Sequence, residues 1–221
     1  MNQPIVESSE GVTLVAGGPV TRRDLAAALR RAPRLVAADG GADRALAAGG
    51  RPEAVIGDLD SISDAARAAL GPARLFPIPE QETTDFDKAL RSIRAPFVLA
   101  LGVSGGRIDH GLAVLNALVR NRSQVCLLVG RQDVVFHAPP RLRLRLWPGD
   151  RLSLFPMAVV TGESEGLRWP IGGLRFAPDG MVGTSNEVSG GVVDLRFNAP
   201  GMLVVLPRGR LDAALRALAP S

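Results

Sequence analysis

Between residues 12 and 138 short apolar runs alternate with helix-like segments, which restricts the first part of the chain to parallel β/α units. Val12-Thr-Leu-Val-Ala-Gly-Gly18 leads into Thr21 to Arg31, where Thr21 is placed to cap a helix and Leu25 and Leu29 share one face. Strands are expected at Arg34 to Ala38 and Ala54 to Gly57, each stopping in an acidic loop, Asp39-Gly-Gly41 and Asp58-Leu-Asp60-Ser61. Strands at 74–79, 96–101, 125–129 and 134–136 and helices at 84–94 and 109–121 complete this half. After Ala138-Pro-Pro140 the apolar period becomes two, at 141–146, 151–155, 192–197 and 202–206, the pattern of half-buried antiparallel strands. The expected fold is an α/β N-terminal domain with a mainly parallel sheet, residues 1–138, followed by an all-β sandwich-like domain, residues 141–221. A short helix at Leu211 to Leu218 ends it, and Arg141, Arg143 and Arg145 read as a solvated strand face.

At 221 residues and 46% hydrophobic, the chain has enough apolar material for a substantial core. Its single cysteine, Cys126, excludes an intramolecular disulfide framework, reads as core, and points to a reducing, cytoplasmic setting. Met1 to Glu10 has no leader pattern and no stretch is long and apolar enough to span a bilayer, so neither export nor a membrane partner is expected. A net charge of +4 does not argue for nucleic acid. Lys88 is the only lysine among 26 basic residues, and marks a position that wants a compact point charge in place of a planar fork.

Ligands of open α/β sheets gather at the carboxyl ends of strands, where this chain carries acids and glycines. Asp58 and Asp60 straddle Leu59, and at an extended strand end such a pair aims two hard oxygen ligands the same way, as Mg²⁺ prefers; a solvated turn gives the same sequence. In Gln81-Glu-Thr-Thr-Asp85-Phe-Asp87-Lys88, capping accounts for Thr84 and Asp87 but not for Lys88. Asp85 and Lys88 lie three apart on a helix, as a metal carboxylate beside a phosphate ammonium or as a surface ion pair. Gly105-Gly-Arg107-Ile-Asp109-His110 follows a strand and enters a helix, a setting for phosphate approach, with Arg107 as a fork and Asp109 as a carboxylate for metal or ribose; a packing turn is the alternative. His110 and His137 have no companions at zinc-ligand spacing. Gly183-Thr-Ser-Asn-Glu187 reads as a polar loop able to orient a heterocycle, and Trp169 as an aromatic that stacks on one or packs in the core.

Taken in order, Ala38-Asp-Gly-Gly-Ala42, Gly57-Asp-Leu-Asp-Ser61, Gln81 to Lys88, Gly105 to His110, Gly166-Leu-Arg-Trp169 and Gly183 to Glu187 resemble the thiamine pyrophosphokinase family. The resemblance implies transfer of the βγ-diphosphoryl group of MgATP to the hydroxyl of thiamine, giving thiamine diphosphate and AMP. It implies Mg²⁺ binding by Asp58, Asp60 and Asp85, with Gln81 and Lys88 beside the polyphosphate. Asp39, Gly40, Gly41, Gly105, Gly106, Arg107 and Asp109 would bind ATP. Trp169, Thr184, Ser185 and Asn186 would bind thiamine, within a homodimer whose active sites draw on both subunits. Two other readings compete: a diphosphokinase for another hydroxymethyl heterocycle such as a pterin, and a nucleotide-sensing module without catalysis.

Overall fold

The computed structural model describes residues 3–218. The chain divides into two compact units between Leu128 and Val129. In the first unit the elements run β1 (Val6–Glu7), β2 (Val12–Val15), α1 (Arg22–Leu29), β3 (Arg34–Ala38), α2 (Gly41–Ala47), β4 (Ala54–Gly57), α3 (Asp64–Leu70), β5 (Leu75–Pro77), α4 (Asp85–Arg91), β6 (Ile93–Arg94), β7 (Val98–Leu101), α5 (Ile108–Arg120) and β8 (Cys126–Val129). The longer strands form a parallel sheet in the order β8-β7-β2-β3-β4-β5, while β1 pairs with β6. Strands β2, β4, β7 and β8 are buried at every position, as a sheet covered on both faces requires. The chain steps outward from β2 through β5 and returns on the far side of β2, so the winding reverses between β2 and β7. The carboxyl ends beside such a reversal are where open α/β sheets place ligands.

Local chemistry sets the helix starts. Thr21, Ser63 and Thr84 cap α1, α3 and α4, their hydroxyls accepting the N–H groups of Asp24, Ala66 and Asp87. Asp87 is buried, accepts from the Asn121 side-chain amide and lies 3.3 Å from Arg120, so it ties α4 to α5 and serves structure. Gly41 begins α2 where a Cβ would stand 2.1 Å from the Val15 carbonyl oxygen, so only glycine lets this turn lie against β2.

The second unit contains β9 (Asp133–His137), β10 (Arg141–Arg145), β11 (Arg151–Pro156), β12 (Val160–Glu165), β13 (Arg175–Phe176), β14 (Gly183–Glu187), β15 (Val192–Phe197), β16 (Met202–Pro207) and α6 (Leu211–Leu218). They form two antiparallel arrays, β14-β11-β16-β9 and β10-β15-β12-β13. Arg141, Arg143 and Arg145 are exposed while Leu142 and Leu144 are buried, the expected alternation.

The α/β and all-β classes stand as read from the sequence, but several features differ in detail, among them the helix expected at 84–94, which ends at Arg91 and is followed by β6. The division falls ahead of Pro139-Pro140 because β9 is antiparallel to β16, with Leu203 opposite His137. Gly183 to Glu187 is strand β14, not a loop; it pairs with β11 and is polar because little of it is buried. Helices α2 and α3 and strand β12 went unread, since α2 and α3 are seven residues each and β12 carries one fully buried side chain, Val160.

Candidate active site

Asp39 follows β3 and Asp58 follows β4, so adjacent parallel strands deliver both carboxylates to the same end of the sheet. Ligand oxygens of Asp39, Asp58 and Asp60 lie within 4.8 Å of one another. The Asp58-Leu-Asp60 segment is not extended: Leu59 adopts a left-handed φ of 65°, folding the two acids together in a turn. The Leu59 side chain is buried with Ala37, Val55, Ile62 and Leu70, which offsets the strain of that backbone and anchors the loop to the core. Asp39, at φ 41°, is a second left-handed residue at this end. Main-chain N–H groups of Asp60 and Ser61 donate to Asp58 Oδ1 and Asp39 Oδ2 at 3.2 and 3.0 Å, which fixes the carboxylate orientations.

Asp39 is 3% exposed, and its Oδ1 is buried with no hydrogen-bond partner. Burial raises its pKa above the usual carboxylate range; the Ser61 N–H opposes this, and the charges of Asp85 and Asp60 reinforce it. Such an orphan, on a residue of the acidic cluster, is an unmet demand for positive charge.

Helix α4 brings the counter-charge. Lys88 is 1% exposed and donates to Asp85 Oδ1 at 3.0 Å and Asp58 Oδ2 at 3.4 Å. Burial works against the ammonium, but Asp85 and Asp58 outweigh it and raise its pKa, so Lys88 is charged. The Gln81 amide also donates to Asp58 Oδ2, at 3.1 Å. For Asp58, burial disfavours the anion, yet the Asp60 N–H, Gln81 and Lys88 together hold its pKa low. Gly57 is where these groups crowd, since a Cβ there would stand 2.9 Å from both Asp39 Cβ and Asp85 Oδ1. Asp58 and Asp85 thus share one ammonium while Asp39 and Asp60 cluster with Asp58, a local excess of negative charge that calls for a hard cation.

Asp58, Asp60, Asp85, Gln81 and Lys88 therefore come together as the sequence arranged them. Asp39, read as a nucleotide group, stands in the acidic cluster, and Asp85 holds Lys88 and the Asp58 N–H. The signal for Asp39 was present, for it directly ends a buried strand just as Asp58 does. Ser61, which orients Asp39, carried no such signal. Gly40 approaches Ser61, where a Cβ would lie 3.2 Å from the serine Cβ, and Gly41 packs on β2. The 104–110 segment is exposed, and Arg107 donates to Asp109 instead of joining the cluster. The Arg107 partner lowers the Asp109 pKa. Cys126 is buried, which pushes its thiol pKa far up and leaves it an inert core residue.

In the second unit Trp169 is 53% exposed, with the Arg168 guanidinium 4.9 Å from its ring centroid. Arg168 in turn lies 3.3 Å from Glu187. Asn186 does not extend a free amide: its Nδ2 donates to the Trp169 carbonyl at 2.7 Å and its Oδ1 accepts the Trp169 N–H at 3.3 Å. Ser185 sits at φ 61° in a β-bulge, its N–H bonded to Ser153 Oγ at 2.9 Å, and Thr184 and Ser185 are exposed.

The pattern described as "Thiamin pyrophosphokinase, catalytic domain" matches residues 25–129, which include all the acidic residues of the cluster and Lys88. A rice (Oryza sativa subsp. japonica) protein named thiamine pyrophosphokinase 1 is 28% identical over 157 residues, covering 62% of this chain. That match spans 60% of the rice protein, so the chain aligns with about three fifths of the curated relatives' length. A solved Lactobacillus plantarum structure is 27% identical with a TM-score of 0.75, covering 90% of this chain and 98% of that one. The thiamin pyrophosphokinase from Candida albicans shares the fold at 17% identity, with a TM-score of 0.75 and 93% of each chain covered. Joined to the acid and lysine cluster at the strand ends, these likenesses make residues 25–129 similar to the catalytic domain of thiamin pyrophosphokinases.

Proposed function

We propose that the protein is a thiamine diphosphokinase, moving the βγ-diphosphoryl group of ATP to the hydroxyl of thiamine. The observation that carries this reading is the buried Lys88 ammonium bonded to Asp58 and Asp85, beside the Asp39, Asp58 and Asp60 carboxylate cluster within the matched domain. The donor set fits Mg²⁺: all oxygens, clustered, with one of the three residues, Asp39, carrying a buried carboxylate oxygen that lacks any partner. When bound, Mg²⁺ would neutralise polyphosphate charge. Asp39, Asp58 and Asp60 would hold it with Asp85 at their side, and Lys88 would meet phosphate oxygens. Thiamine's hydroxyl oxygen bonds to the β-phosphorus, the bond from that phosphorus to the α,β-bridging oxygen breaks, and AMP leaves. A carboxylate of the cluster takes the hydroxyl proton. Positioning and charge neutralisation do most of the work in such a displacement.

In this reading Arg107, Asp109, Gly105 and Gly106 form an open nucleotide-facing segment, while Gly40 and Gly41 shape the turn that carries Asp39. The exposed Trp169 face stacks on thiamine, flanked by Thr184 and Ser185, and Asn186 holds the tryptophan. The acceptor is thiamine and not a pterin because the Trp169 and Thr184-Ser-Asn186 segments accompany the matched catalytic domain. The protein acts in the cytoplasm; among the described residues no helix is long and apolar enough to cross a membrane. It works as a homodimer with shared sites, and a monomer of full activity in sedimentation would remove that part of the reading.

The direct test is formation of thiamine diphosphate from thiamine and MgATP by purified protein; none formed at any protein concentration would overturn the assignment. Trp169→Ala is expected to raise the thiamine KM about tenfold with kcat little changed, equivalent to roughly 1.4 kcal/mol of lost stacking. An unchanged KM would contradict stacking on Trp169.

A further inference from the structure

Gln81 reaches Asp58 from a short irregular segment between β5 and α4, and such a segment needs an external brace to hold one side chain in place. The structure shows one. Glu80 Oε1 accepts from the Thr83 hydroxyl and from Arg91 Nη2, the latter at 2.9 Å. Glu80 Oε2 accepts the Glu82 N–H at 3.0 Å, and Arg91 Nη1 donates to Thr83 Oγ1 at 3.1 Å. Gln81 thus lies inside a closed ring of hydrogen bonds made by its own neighbours, and the ring is tied to α4 by Arg91. Arg91 leaves the last turn of the helix whose first turns carry Asp85 and Lys88.

Resting on the reading that Asp58 and Gln81 belong to the metal and polyphosphate site, we infer that Glu80 and Arg91 are positioning residues acting through Gln81. They hold the Gln81 amide against Asp58 Oδ2 while Asp58 Oδ1 accepts the Asp60 N–H. The clamp uses chemistry suited to that task. An arginine fork meets a carboxylate and a hydroxyl at once, a geometry that an ammonium cannot reproduce. The Thr83 hydroxyl, followed by Arg91, draws the Glu80 pKa down to about 2, so the clamp is charged throughout the working pH range. Neither residue touches the cluster itself. Their effect runs through a side chain that does, as second-layer partners of metal ligands commonly act.

A double-mutant cycle tests this. Arg91→Ala alone is expected to lower kcat/KM for MgATP about tenfold, whereas in a Gln81→Ala background it lowers it less than twofold. Mn²⁺ titration of substrate-free protein by electron paramagnetic resonance should follow the same pattern: weaker binding in either single variant and no further loss in the double. Glu80→Gln should reproduce Arg91→Ala, and Arg91→Lys should restore part of the loss while thermal unfolding stays near that of the unaltered protein. Additive losses from Arg91→Ala and Gln81→Ala would overturn the clamp and leave Arg91 a purely structural residue, as would a Gln81→Ala protein equal to the unaltered one in both readouts. An unaltered protein that neither turns over thiamine nor binds Mn²⁺ would overturn the site reading beneath it. Mn²⁺ binding that follows the cycle without thiamine turnover would uphold the clamp and reject only the acceptor.

Discussion

Replacing Lys88 by methionine is expected to lower kcat by about 10²- to 10³-fold, the range for removing one preorganised positive group from a charge-stabilising site. The same change strips Asp85 and Asp58 of their shared ammonium, with bonds of 3.0 and 3.4 Å lost together. Breaking a fully buried pair costs about 3–5 kcal/mol, but the side chains of Asp85 and Asp58 are 30% and 14% exposed, so the stability loss should fall below that range. Lys88→Arg separates charge from shape. It keeps the cation, yet a planar fork does not fit a pocket that leaves 1% of Lys88 exposed, so activity should remain low. Steady-state kinetics with melting curves checks both, and a Lys88→Met enzyme within twofold of the unaltered protein would remove Lys88 from the mechanism.

Asp39→Asn should do two opposite things. Activity should fall by at least about 10²-fold because the cluster loses a metal-facing carboxylate. Melting temperature of the metal-free protein should rise by a few degrees, because a buried anion with an orphaned Oδ1 is replaced by a neutral amide. The amide keeps an acceptor for the Ser61 N–H and offers donors to the neighbouring carboxylates. The pH dependence has a definite sign. Burial raises the folded-state pKa of Asp39 above its unfolded value, so the ionised form opposes folding most above that folded pKa. The stability advantage of Asp39→Asn should therefore be largest near neutrality and shrink as pH falls through the folded pKa. An Asp39→Asn protein that melts lower and remains active would show that Asp39 is an ordinary core acid.

Sequence periodicity was enough to place the parallel strands, because a sheet buried on both faces writes its strands as unbroken apolar runs such as Ala54 to Gly57. It failed at β14 and β12, where most side chains face solvent and the apolar signal vanishes. In the site, Asp58, Asp60, Gln81, Asp85 and Lys88 were legible from their position after strands or at a helix start. Asp39 was legible as a site residue, but its place among the acids depends on β3 and β4 being neighbours and on two left-handed residues, Asp39 and Leu59. Asn186 shows the same limit: composition offers an amide for a ligand, whereas the fold commits it to the Trp169 backbone. The Glu80 and Arg91 clamp joins residues eleven apart across a loop and a helix, a pairing that no local pattern announces.

The most direct measurement is chromatographic separation of the nucleotide products formed from MgATP with and without thiamine. The account predicts AMP, formed only with thiamine and in amounts equal to thiamine diphosphate, because attack falls on the β-phosphorus. Formation of ADP would mean transfer of the γ-phosphoryl group alone and would contradict the diphosphoryl mechanism.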